Sequence, residues 1–194
     1  MFEVTNVHTQ HRILDFDIEN RPLAYWYDGN TTAEITAIGW AFYDEPVIHS
    51  RLLLPPPKHE TSMLKMLKAF RRAYDKADIV TGHFIRVHDL PIINSHMIEF
   101  GLPPLDAKMS SDTKIDLIRH GQMSASQLAL SAMLDVKAPK PRMTNLRWRD
   151  ANRLTPDGMV LARERVEGDV KQHMELRAAM LRDGLLKPPS LWSP

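Results

Sequence analysis

The sequence predicts an α/β domain, a mixed central sheet flanked by helices. Three observations carry that reading. Segments rich in β-forming residues crowd the first 54 positions, and segments with helical period then alternate with short apolar runs. The 194 residues are 43% hydrophobic and 25% charged, an ordinary globular balance that excludes wholesale disorder. The length suits one domain with a core that needs neither disulfides nor a structural metal.

The elements follow in order. Arg12–Glu19 (RILDFDIE) sets Ile13, Leu14, Phe16 and Ile18 among acids, as in a buried strand with a polar end, and Asn20-Arg21-Pro22 is expected to close it. Thr36–Tyr43 is rich in β-formers, and Val47–Leu54 is its expected partner across Asp44-Glu45-Pro46. Pro55-Pro56-Pro57 stops any strand. In Glu60–Ala77, Met63, Leu64, Leu67, Phe70 and Tyr74 share one helical stripe, with Lys65, Lys68, Arg71 and Arg72 as the wet face. Asp78–Gly82 is a short apolar strand. Leu90–Phe100 is a helix with Pro91 in its first turn and Gly101 at its end. Met109–Leu117 holds a further strand and Ser126–Leu134 a short helix. Val160–Leu181 is the longest helical run, ended by Gly184 and Pro188-Pro189. Hairpin-like strands followed by βα units make the sheet mixed. The expected division is a domain over residues 1–186 and an extended tail over 187–194, with Trp192 either docked on the body or a partner contact.

Composition narrows the chemistry. With 25 basic and 24 acidic residues the formal net charge is +1, so any nucleic-acid surface must be a local patch. The absence of cysteine excludes disulfide scaffolds, thiolate zinc sites and cysteine nucleophiles, and fits a reducing compartment. Met1–Gln10 is polar, without the apolar core of a secretory leader, and no window approaches the roughly 20 apolar residues of a membrane span. A cytoplasmic protein without membrane attachment is expected. Phosphate loops of the GxxxxGK[ST] type, GxGxxG, HExxH and GxSxG are all missing.

The carboxylates are more informative. Asp17 and Glu19 lie one residue apart on the first predicted strand and so point to the same face, about 6.6 Å apart at a ~3.3 Å rise. Two acids on one face of an apolar strand repel, and burying them is costly. A divalent cation relieves both problems, and oxygen ligands favour Mg²⁺ or Mn²⁺ over zinc. Asp15 shares the face by parity but lies deeper. Asp89 opens the helix at Leu90, where it can cap that helix or hold a cation at the sheet edge. Asp169 lies within the last long helix beside Val166, Val170 and His173, and needs either a salt-bridge partner or a metal.

The set LDFDIEN, TGHFIRVHDLPIINSHM and RVEGDVKQHMELR, in that order, resembles the DEDD 3′–5′ exonucleases. It is most similar to the proofreading exonuclease domain of family B DNA polymerases, including small free-standing phage-type versions. Asp17 and Glu19 match the first motif, Asp89 the second and Asp169 the third. Asp112-Thr113-Lys114 and Ser126-Gln127-Leu128 resemble the family's DTK strand and S-x-x-L helix. The likeness spans roughly residues 12–182. It implies an RNase H-like fold and two divalent metal ions, Mg²⁺ or Mn²⁺, held by the four carboxylates. It also implies release of nucleoside monophosphates from a single-stranded 3′ end of DNA. The implied setting is the cytoplasm (the host's, for a phage-encoded chain), with a DNA polymerase or other replication protein as partner.

Two positions depart from that family. Its polymerase-like branch has Tyr four residues before the third-motif Asp, and the other branch His five before; here these positions hold Arg165 and Glu164. Arginine cannot serve as a base, since its pKa exceeds about 12. Arg165 can clamp the scissile phosphate, or neutralise Asp169 and take a metal's place; Glu164 can orient the water instead. Phe84 replaces the family's frequent Asn and can pack in the core or stack on a terminal base. Basic residues gather between Lys137 and Arg153: Lys137, Lys140, Arg142, Arg147, Arg149 and Arg153 stand against the single acid Asp150, with Trp148 among them. Such a proline-broken basic loop suits a single strand, or is a solvated surface with Trp148 buried. The rival to the enzyme is a catalytically weak or inactive relative that binds nucleic acid or a replication partner, which Arg165 favours and the four acids disfavour.

Overall fold

The computed structural model describes residues 11–23, 32–45, 47–138 and 141–194. Its centre is β1 (Ile13–Leu23), flanked by antiparallel β2 (Thr32–Phe42) and then β3 (His49–Leu52) on one side. On the other side β4 (Ile79–Gly82) and β5 (Lys108–Asp112) run parallel to it, and β6 (Ser190–Trp192) returns antiparallel on β5. The six-stranded order is β3-β2-β1-β4-β5-β6. Five helices complete the described chain: α1 (His59–Lys76), α2 (Asp89–Glu99), α3 (Gln127–Met133), α4 (Asn145–Asn152) and α5 (Pro156–Arg182). The expected mixed sheet flanked by helices is what forms, and no helix among the described residues is long and apolar enough to cross a membrane.

The period of two in β1 divides the molecule. Leu14, Phe16 and Ile18 point into the main core, where Phe16 meets Phe70 of α1 at a ring-centroid distance of 5.0 Å. Asp15, Asp17 and Glu19 point the other way, toward α5.

Three local expectations need correction. β1 does not end at Asn20-Arg21-Pro22. A register shift between Glu19 and Asn20 lets it continue against β2, and Arg21 Nε bonds Glu34 Oε2 at 2.6 Å. Proline is tolerated because β4 pairs β1 only from Ile13 to Asp15, so the far end lacks that neighbour. β5 stops at Asp112, whose carboxylate accepts the N–H groups of Lys114 and Ile115 and forms a turn. Within the expected basic loop, Thr144 caps α4 by accepting the Arg147 N–H. The tail is extended as expected, its Ser190–Trp192 pairing on β5, and Trp192 docks in the main core.

Gly158, in the first turn of α5, allows α4 to pack there. A Cβ at this position would lie 2.1 Å from the Asp150 carbonyl oxygen, which is backbone and cannot swing away. Helix propensity alone favours alanine over glycine by about 1 kcal/mol. We expect sterics to win: Gly158→Ala should cost about 2 kcal/mol and lower Tm by roughly 4–8 °C. A higher Tm in thermal denaturation would show that the two helices can part without loss.

Candidate metal centre

Asp17 and Glu19 reach the α5 face just before the β1 register shift. α5 lies close to the sheet there. A Cβ on Gly39, the β2 partner of Asp17, would be 3.1 Å from the Val166 carbonyl oxygen. That approach carries Asp169, one turn further along α5, onto the two strand acids. Single carboxylate oxygens of Asp17, Glu19 and Asp169 all lie within 4.8 Å of one another. Arg165, also one turn from Asp169, sits on the cluster: Nε is 2.6 Å from Asp169 Oδ2 and 3.4 Å from Glu19 Oε1. Its Nη1 donates to the Pro141 carbonyl at 3.2 Å.

Asp89 occupies the same cleft, about 330 Å³ in volume and lined also by Asp17, Glu19 and Asp169, but is not one of the three acids with converging oxygens. It does not cap α2. The preceding His88 holds the cap position, and Asp89 Oδ1 instead accepts the Ile18 N–H of β1 at 3.1 Å, while Oδ2 meets His88 Nδ1 at 3.2 Å. Burial pushes the Asp89 carboxyl above the ordinary carboxylate range, despite the opposing His88 contact. Its hydrogen bond raises the His88 imidazole in turn.

Asp15 is fully buried, below the cluster. His173 Nδ1 lies 2.9 Å from its Oδ1, and Arg177 donates through Nε and Nη2 at 3.1 Å each. Burial alone would raise this carboxyl, but the His173 hydrogen bond and the Arg177 charge outweigh it and hold it below its ordinary value. A depressed folded-state value stabilises the protein above the unfolded carboxylate pKa, about 3.9, and that contribution fades as pH falls through the lower folded value. Tm should therefore fall with acid below about pH 4 in wild type, and less steeply in Asp15→Asn, which should already melt lower at pH 7. Parallel slopes between pH 2 and 6 would remove Asp15 from the acid response.

The remaining predicted residues spread around this centre. Phe84 lines the cleft. Glu164 is exposed on α5 and is not among the residues lining the cleft. Arg142, Arg147 and Arg149 are exposed on and just before α4, Trp148 is half-buried, and exposed Lys137 lies 3.5 Å from Asp135. Lys140 lies outside the described residues. The segment touches the centre where Pro141 accepts the Arg165 hydrogen bond. His88, Lys114 and Gln127 also line the cleft. The sequence carries all three inside the quoted motifs, yet nothing in their spacing marks them.

No family model and no curated protein matches this chain. Its architecture does have counterparts. The structure of the family B DNA polymerase from the hyperthermophilic archaeon Pyrobaculum calidifontis is similar to it, with a TM-score of 0.63 and 12% identity over 88% of this chain. The fold is RNase H-like. The match covers 24% of the polymerase chain, so this protein corresponds to about a quarter of that molecule. Identity this low shows shared architecture and leaves the chemistry to the residues of the cleft.

Proposed function

We propose that this protein is a metal-dependent 3′–5′ exonuclease that removes nucleoside monophosphates from single-stranded 3′ ends of DNA by two-metal-ion hydrolysis. The observation that carries the reading is the meeting of Asp17, Glu19 and Asp169 within 4.8 Å, in a cleft that Asp89 also lines. These hard oxygen donors suit Mg²⁺ or Mn²⁺. The site's demand for positive charge is visible in Arg165, whose guanidinium contacts two of the three acids. Asp17, Glu19, Asp169 and Asp89 would hold the ions, which when bound activate a water and stabilise the leaving 3′ oxygen.

The chain's own residues do the rest. The Ile18 N–H fixes the Asp89 carboxylate against β1. Arg165, moved from Asp169 onto the scissile phosphate, supplies a charge-assisted clamp. Lys137, Lys140, Arg142, Arg147 and Arg149 meet the strand's phosphates, and Trp148 offers a ring to its bases. DNA is the substrate we infer, and a DNA polymerase or other replication protein the partner class, because the similar architecture belongs to a DNA polymerase.

The Arg165 contacts also favour a second reading, a relative that binds nucleic acid but is catalytically silent because a guanidinium holds the metal's place. Digestion of a 5′-labelled single strand separates the two. Stepwise shortening from the 3′ end with Mn²⁺ or Mg²⁺, abolished by EDTA, is expected. A strand bound but left intact under every metal condition would establish the silent relative.

A further inference from the structure

The β5 side of the cleft is built by residues that the metal centre does not use. Phe84, in the loop between β4 and α2, has a φ of 74°. A bulky L-residue rarely adopts this left-handed conformation, and it persists only where its surroundings fix it. Asp112, fully buried at the end of β5, does so. Its carboxylate accepts the N–H groups of Phe84 at 2.9 Å and Arg86 at 3.1 Å from the loop. It also accepts those of Lys114 at 3.0 Å and Ile115 at 3.1 Å from its own turn. Asp116 closes the far side, accepting the Asp112 N–H at 2.8 Å and two guanidinium nitrogens of Arg86 at 2.7 and 2.8 Å.

One buried carboxylate thus ties the loop that leads into Asp89 to the turn that follows β5. The tie sets Lys114 Nζ 3.6 Å from the centroid of the Phe84 ring, and both side chains line the cleft with Asp89. An ammonium held over an aromatic ring is a preformed pair. Its two halves match the two halves of a nucleotide, a planar base that stacks and a phosphate that needs a cation.

We propose that Phe84 and Lys114 form a nucleotide subsite, the ring taking a base and the ammonium a phosphate, with Asp112 as the residue that positions both. Its place in the reaction rests on the nuclease reading; its existence does not. The test is calorimetric titration of the full chain with thymidine 5′-monophosphate in EDTA, beside ribose 5-phosphate as a ligand with phosphate but no base. Lys114→Met should weaken both ligands about tenfold, and Phe84→Leu should weaken only the nucleotide, by about as much. Asp112→Asn should weaken the nucleotide like the other two variants, because the carboxylate acts through them.

Wild-type protein that ignores the nucleotide, or Phe84→Leu and Lys114→Met proteins that bind it unchanged, would overturn the subsite. An Asp112→Asn protein that melts lower yet binds normally would leave Asp112 a purely structural residue and overturn its positioning role. Nucleotide binding that follows the expected pattern in a protein unable to shorten DNA would support the subsite and sink the nuclease reading instead.

Discussion

Replacing Asp17 with asparagine should abolish 3′–5′ degradation and leave the fold intact. Asp17 is half-buried midway along β1, where its oxygen comes within 4.8 Å of both Glu19 and Asp169. The amide keeps the shape and one carbonyl oxygen but removes a full negative charge from the ligand set. Binding of a hard divalent cation depends on that charge. We expect a loss of about 10³-fold, the upper end of what removal of one electrostatic group costs other enzymes. Removing one of three crowded acids should also leave the metal-free protein at or above the wild-type Tm, because less like charge is compressed there. Degradation at the wild-type rate would place the chemistry elsewhere in the molecule.

The second large effect belongs to Arg165. At 2.6 Å from Asp169 and 3.4 Å from Glu19, its guanidinium would compete with a metal for two of the three carboxylates. Asp169 is 5% exposed and Arg165 20%, so water screens the pair only in part. Arg165→Ala should therefore tighten Mn²⁺ binding on the order of tenfold or more, read by calorimetry. If the released guanidinium clamps the phosphate, the same substitution lowers kcat even as metal affinity rises. That opposed pair of changes is the expected result, since a side chain that only blocked the metal would change both in the same direction. Higher activity in Arg165→Ala would overturn the clamp, and a further gain in Arg165→Tyr would show that a hydroxyl serves better there.

The outline of the fold was legible because it follows from periodicity. The alternation in RILDFDIE separates Phe16 from Asp17, and the stripe from Met63 to Tyr74 places α1 against the sheet. Asp17, Glu19 and Asp169 could be singled out because acids on a strand face or beside a core stripe demand a partner. What stayed hidden was set by tertiary contacts. The Asp89 carboxylate crosses to the Ile18 N–H rather than capping its own helix, a choice made 71 residues away in sequence. α4 looked like a loop because three prolines and a run of basic residues surround it, and only the Thr144 cap and packing on Gly158 make it a helix. Arg165 was visible as a departure, but sequence could not say whether it faces solvent, phosphate or Asp169.

The antiparallel placement of β1 on α5 has a further consequence. Side chains recur on one strand face about every 6.6 Å and on one helix face about every 6 Å, so two such ladders stay commensurate over three rungs. Here Asp15 faces His173 and Arg177, Asp17 faces Asp169, and Glu19 faces Arg165. The outer rungs pair opposite or hydrogen-bonding partners, and the middle rung sets acid against acid. Sliding α5 by one turn would set Asp169 against Glu19 in one direction and against Asp15 in the other, so either slip replaces a favourable outer rung with acid against acid. The layer between strand and helix therefore acts as a vernier: it reads the helix position to a single turn and fixes a gap between the two ladders that a cation could fill.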